Sequence, residues 1–165
     1  MSNEIAKLEA AIEIATKRLA ELKAAKATQA EKAWPQKGDT YFTIGEDGEA
    51  FEVNCWLSDA YDLARKAIGN IFRTESEAQK EIERRKVLTE LRRLARESWG
   101  DDKADWSNSL QRKWSLFLNH GEHRWRADAW RSGQLANAVY FATEQAALTA
   151  IETIGAERLM MLLED

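Results

Sequence analysis

Ile68-Gly69-Asn70-Ile71-Phe72-Arg73-Thr74-Glu75-Ser76-Glu77-Ala78 is echoed further along by Ala136-Asn137-Ala138-Val139-Tyr140-Phe141-Ala142-Thr143-Glu144-Gln145-Ala146-Ala147. Each stretch is a short apolar run, then Phe-x-Thr-Glu, then a segment of helix formers. Upstream of each lies an acidic or polar Gly turn, Asp47-Gly48-Glu49 or His120-Gly121-Glu122, followed by Trp56 or Trp130. Two imperfect copies of one sheet-plus-helix unit predict a scaffold built by duplication. The expected class is α+β: an N-terminal coiled-coil-like helix, then two related units of antiparallel strands followed by a helix.

Working outward, the first unit spans residues 34–98. Thr40 to Ile44, a turn at Gly45 to Gly48, and Ala50 to Leu57 read as a β-hairpin. In its second arm, alternation places Phe51, Val53 and Cys55 on one face and Glu52, Asn54 and Trp56 on the other, so Cys55 is expected as an inert core thiol. A polar connection from Ser58 to Lys66, with a helical turn as its alternative, leads to a strand over 67–72. Thr74-Glu75-Ser76-Glu77 then forms a capping box, with the Thr hydroxyl taking the third helical N–H and Glu77 reaching back. The helix it opens runs to about Ser98, with Ala78, Ile82, Leu88, Leu91 and Ala95 as its buried stripe and a basic run on the other face. Trp99 to Asp105 bounds the second unit, residues 99–165, with strands near 112–118, 123–130 and 138–141 and a helix from Glu144 to Ile154. Gly155 ends that helix, and 156–163 supplies a last short one.

Residues 1–33 read as an oligomerisation helix running from 2 to about 32, capped by Ser2 or Asn3. Ile5, Leu8, Ile12, Ala15, Leu19 and Leu22 recur at alternating three-and-four spacing, a heptad seam. An isolated helix of this length is marginal, so something must cover the seam. A parallel, in-register pair would set Glu4 against Glu9 and Arg18 against Lys23, and both repel. Reversing one helix brings the acidic first half beside the basic second half, and pairs Ile5 with Leu22 and Leu8 with Leu19. The reading is a homodimer through this helix, antiparallel; packing of the helix on its own domain is the alternative.

Composition limits the functions open to the chain. A net charge of -4 and a pI near 5.4 argue against a general duplex-DNA binder, which needs a basic excess to neutralise phosphates. One cysteine allows no internal disulfide and no thiolate metal cluster, which points to a reducing compartment. The start carries no apolar signal core, so a cytoplasmic protein with no membrane span is expected. His120 and His123 flank Gly121, but a zinc site needs three or four ligands. Asp101, Asp102 and Asp105 lack the alternation and terminal Glu of a calcium loop. With no Gly-rich phosphate loop, nucleophile elbow or His-Glu-x-x-His motif, neither catalysis nor a metal nor a cofactor is expected.

What remains is surface. On the strand near 123–130, Trp125 shares a face with Ala127 and Ala129, while Arg124, Arg126, Asp128 and Trp130 form the other. Together with Arg112, Lys113 and Arg131 these make the one locally basic, aromatic-bearing surface in the sequence. Arg and Trp suit both protein hot spots and stacking on bases. The binding set is therefore Arg112, Lys113, Arg124, Arg126, Trp130 and Arg131, and the oligomerisation set Ile5, Leu8, Ile12, Leu19 and Leu22.

The order Trp34-x-x-x-Gly38-x-x-Tyr41, Asp47-Gly48, Trp56, Gly69-Asn70-x-Phe72-x-Thr74-x-x-Glu77-Ala78 resembles a pattern of small phage and prophage accessory proteins. The ending Tyr140-Phe141-x-Thr143 with Ala146, Ala150, Ile151, Ile154, Gly155 and Arg158-Leu159 is similar to the tails of the same group. That resemblance covers nearly all the chain after the first helix and implies a phage accessory product, a class that includes inhibitors of host defence. The expectation is a non-enzymatic binding protein that blocks a bacterial defence component such as a CRISPR effector. Two alternatives stand beside it: a nucleotide or single-stranded nucleic-acid binder using Arg124, Arg126 and Trp130, and a structural phage component.

Overall fold

The computed structural model describes residues 11–23 and 34–163. Among these residues the protein is mixed α+β. In chain order come helix α1 (11–23), strands β1 (Tyr41–Ile44) and β2 (Ala50–Val53), and helices α2 (Ala60–Ala67) and α3 (Glu75–Trp99). Strands β3 (Lys113–Asn119), β4 (Arg124–Trp130) and β5 (Tyr140–Phe141) follow, then helices α4 (Glu144–Ile154) and α5 (Ala156–Met160). The described residues form two small antiparallel sheets, β1-β2 and β4-β3-β5. The chain falls into two compact units, one holding residues up to 41 with 52–69, the other 42–51 with the residues from 70 onward.

The first unit is organised around a buried carboxylate. Asp59 caps α2, its side chain accepting from the Asp62 N–H at 2.9 Å. That places Asp62 where its Oδ1 accepts from the Tyr41 hydroxyl at 2.6 Å and its Oδ2 from the Leu57 N–H at 2.7 Å. An Arg65 Nη1 donates to the Tyr41 oxygen at 2.8 Å. The Trp56 ring meets Tyr41 edge-on with centroids 5.6 Å apart, and the Lys66 ammonium lies 5.8 Å from the Trp56 centroid. Burial alone would raise the Asp62 pKa, but hydrogen bonds from Tyr41 and from backbone N–H groups outweigh it and hold the carboxyl below its ordinary value.

This arrangement corrects two expectations. β2 stops at Val53, so its alternation does not carry on to Cys55: Cys55 and Phe51 are exposed, and Trp56 is buried instead. Trp56 is held by two backbone bonds, accepting from the Gly38 N–H at 2.9 Å and donating to Asp39 at 2.7 Å. Nor is there a strand over 67–72. The Asp59 cap extends the helical turn allowed for in the polar connection into a full helix, and that helix consumes the chain through Ala67.

In the second unit only a single residue of that expected strand pairs. Phe72 exchanges backbone bonds of 2.9 and 2.8 Å with Phe42, forming an isolated antiparallel bridge. Asn70 substitutes for the missing ladder with its side chain. Its Oδ1 accepts from the Ile44 N–H at 3.1 Å, its Nδ2 donates to the Ile44 carbonyl at 2.9 Å, and its own carbonyl accepts from the Thr43 hydroxyl at 2.8 Å.

Both helices after the Phe-x-Thr junctions are capped as the sequence predicts. Thr74 (φ -133, ψ 155) accepts from the Glu77 N–H, and Thr143 (φ -135, ψ 155) from the Ala146 N–H. Glu77 reaches one residue beyond the expected partner, accepting from the Arg73 N–H at 2.8 Å. On α3 the buried stripe is Ala78, Ile82, Val87, Leu91 and Ala95; Val87 takes the place expected for Leu88, which is half-buried. Val87, Leu91 and Ala95 join Phe141, Ala147, Ala150, Ile154 and Leu159 in the core of this unit. Two polar ties fix the end of α3 to the β5 segment: the Trp99 indole N–H donates to the Tyr140 carbonyl at 2.9 Å, and the Ala142 N–H to the Ser98 hydroxyl at 3.0 Å. The outer face of α3 is laced with ion pairs, Glu81 with Arg84 and Arg85, Glu83 with Lys86, Glu97 with Arg93, which engage the middle of its basic run.

Candidate functional site

β3 and β4 pair in strict register, and alternation sorts their side chains onto two faces. Trp114, Leu116, Trp125 and Ala127 pack against the core. The opposite face aligns Lys113 with Trp130, Ser115 with Asp128, Phe117 with Arg126, and Asn119 with Arg124. This is the face on which the sequence places Arg124, Arg126, Asp128 and Trp130, and the sheet brings those residues together.

Its chemistry differs from one end to the other. Near the start of β3, Lys113 is fully buried, its ammonium donating to the carbonyls of Asn108 at 2.9 Å and Arg131 at 3.1 Å and lying 5.1 Å from the Trp106 centroid. Trp106 in turn meets Tyr140 edge-on at 4.8 Å. Lys113 was expected on the binding surface; it is instead an internal tie for two loops, because three backbone and ring acceptors hold the charge more completely than water at the rim. Trp130 is half-buried, with Gly133 against its ring so that a Cβ there would sit 3.7 Å from it. Arg112 and Arg131 are exposed and flank this end.

The far end of the face is open. Asn119 shapes the turn by accepting from the Gly121 and Glu122 N–H groups at 3.0 and 3.3 Å, and His123 completes it with φ +51. The turn aims Glu122 back over β4, where its carboxylate bonds both Arg124 (2.6 Å) and Arg126. Hydrogen bonds from Arg126 first and Arg124 second hold the Glu122 carboxyl below its usual range. The two guanidiniums thus share one counter-charge, and Asp128 adds a second acid to the face. The site is less basic than four arginines suggest. It also carries an aromatic that sequence reasoning missed: Phe117, 42 % exposed and directly across from Arg126. Leu116-Phe117-Leu118 is apolar throughout, so alternation alone could not show which of the three faces out; the pairing register decides it.

The second predicted set lies on α1. Ile12, Leu19 and Leu22 are exposed at 64, 53 and 63 %, and Ala15 is exposed as well. Ile5, Leu8, the Ser2 or Asn3 cap and the predicted helix ends at 2 and 32 lie outside the described residues. A further apolar group, which the sequence reading did not single out, surrounds α2: Leu57, Tyr61, Leu63 and Ile68 are exposed at 56, 77, 53 and 73 %. His120 and His123 are exposed in their turn, and among the described residues no group of three His, Cys, Asp or Glu side chains is placed to hold a metal.

The chain matches no protein-family model, no curated protein and no solved structure. Among the described residues, no helix is long and apolar enough to cross a membrane.

Proposed function

We propose that this chain is a non-enzymatic protein-binding module, a homodimer through α1 whose partner is a bacterial defence component such as a CRISPR effector. The observation that supports it is the exposure of large apolar side chains at helical spacing, Ile12, Leu19 and Leu22 on α1 and Tyr61 and Ile68 at α2. Contiguous exposed apolar groups mark interaction surfaces, since hydration of such a stripe is relieved only by another surface. The assignment to phage anti-defence rests on the resemblance of the Trp, Gly-Asn and Phe-x-Thr pattern to phage accessory proteins.

The same proposal includes internal duplication. Thr74 and Thr143 agree within a few degrees in φ and ψ, and each follows by two residues a Phe that bridges the first strand of the preceding hairpin, Phe72 to Phe42 and Phe141 to Trp114. This likeness supports descent from one unit.

A second reading draws on Phe117 beside Arg126: an exposed ring next to a guanidinium is suited to stacking a base and holding a phosphate. One titration separates the two. Protein recognition predicts no appreciable oligonucleotide binding at physiological salt, and capture of a stoichiometric defence protein that an Arg124, Arg126, Trp130 triple alanine variant no longer captures. Micromolar binding of single strands, weakening with a slope of about -0.7 per phosphate contact and lost in the same variant, would replace the first reading with the second.

A further inference from the structure

A cavity of about 450 Å³ opens into the second unit. Leu88 of α3, Leu116 of β3, Trp125 of β4, Val139 ahead of β5 and Leu162 near the C-terminus line it. All five are half-buried, and the last four also pack on the core cluster. The void therefore borders the apolar core on one side, while Ser115, Asn137, Arg84 and Arg92 give it polar lining on the other. Its volume is well above the roughly 150 Å³ at which an apolar cavity already takes up a small hydrocarbon, and falls within the range of small-molecule sites.

Among the described residues, the charged groups at its lining are Arg84 and Arg92. In a chain of net charge -4 that asymmetry is notable. Arg84 is already engaged, its Nε and Nη2 bonded to Glu81 at 2.6 and 3.1 Å. Among the described residues the Arg92 guanidinium has no ion-pair partner. A planar, two-pronged donor with no ion-pair partner among the described residues, beside the apolar wall of Leu116, Trp125 and Val139, matches one carboxylate attached to an apolar body.

We propose that this cavity binds a small amphipathic monoanion, an aliphatic carboxylate of medium chain length. The chain lies against Leu116, Trp125 and Val139, and the carboxylate is held by Arg92. The site uses none of Arg124, Arg126, Phe117 and Trp130 and no residue of α1, so it stands or falls separately from the function proposed above.

The test uses the full chain with octanoate, its neutral counterpart 1-octanol and its charge-reversed counterpart octylammonium. Calorimetry follows affinity, and the Trp125 indole N–H, which donates to the Ala156 carbonyl at 3.2 Å, is the NMR reporter of place. Octanoate is expected to bind tighter than about 1 mM, with 1-octanol at least about tenfold weaker, as expected for loss of a charged hydrogen bond, and octylammonium weaker still. Affinity should rise about fourfold per methylene from hexanoate to octanoate, the factor for burying one such group. Arg92→Gln should weaken octanoate about tenfold and leave 1-octanol unchanged, which also shows that the variant is folded. Equal affinity for octanoate and 1-octanol, no binding at millimolar concentration, or perturbation of other indoles with Trp125 unmoved would each overturn the proposal.

Discussion

Two buried ionisable residues, Asp62 and Lys113, show how local partners set the role of a side chain. Asp62 is held by charge-assisted bonds from Tyr41 and Leu57, so Tyr41→Phe is expected to cost about 1.5–3 kcal/mol, read by urea denaturation. The pH dependence follows from the direction of its pKa. The folded carboxyl sits below the ordinary 3.8, so the native state binds fewer protons than the unfolded one. Its stabilisation is present above that ordinary value and is lost as pH falls through the folded pKa. Melting temperature followed from pH 7 into acid should fall less steeply below about pH 4 in Asp62→Asn than in the parent. Lys113 yields the opposite lesson about surface reading. Lys113→Ala leaves the Asn108 and Arg131 carbonyls without their donor and should cost about 1–3 kcal/mol, whereas exposed Arg112→Ala should stay within about 0.5 kcal/mol. Equal effects would mean that the ammonium is not an internal tie.

A Phe-x-Thr junction precedes α3 and another precedes α4, one reached through an isolated bridge and the other through β5, and their Phe rings are unequally sheltered. Phe141 is fully buried and Phe72 half-buried. Phe141→Ala should therefore cost about 3–5 kcal/mol by cavity formation and Phe72→Ala roughly half that, because less apolar area leaves water at Phe72. The helix caps should behave alike: Thr74→Ala and Thr143→Ala are each expected to cost about 1 kcal/mol, since their dihedrals and bond lengths nearly coincide. Circular dichroism during denaturation reads both pairs. The caps were legible because a Thr followed by helix formers is a local signal. The expected strand over 67–72 was not, because Asp59 starts a helix that runs to Ala67, and the only pairing left is the Phe42–Phe72 bridge.

At the scale of the whole molecule, α1 exposes Ile12, Leu19 and Leu22, which the homodimer proposal covers with a second copy. Light scattering at micromolar concentration should give a dimer for the full chain and a monomer for the Leu19→Lys, Leu22→Lys variant, with far-ultraviolet dichroism unchanged. A monomeric parent would end the homodimer proposal and leave the seam for a different partner. The sequence by itself determined whatever depends on neighbours a few residues apart: the Thr caps, the hairpin turn before β2, and the helix Glu144–Ile154, which matches its expected bounds. Only the tertiary structure decided which polar groups are internal and which aromatics are presented. Lys113 is buried because Trp106 and Asn108 of the loop before β3 and Arg131 after β4 converge on it, and Phe117 faces out because its register with Arg126 turns it from the core. Short-range periodicity and capping are written in consecutive residues. Burial and electrostatic pairing depend on which distant backbone arrives beside a side chain, and that follows from the packing of the fold.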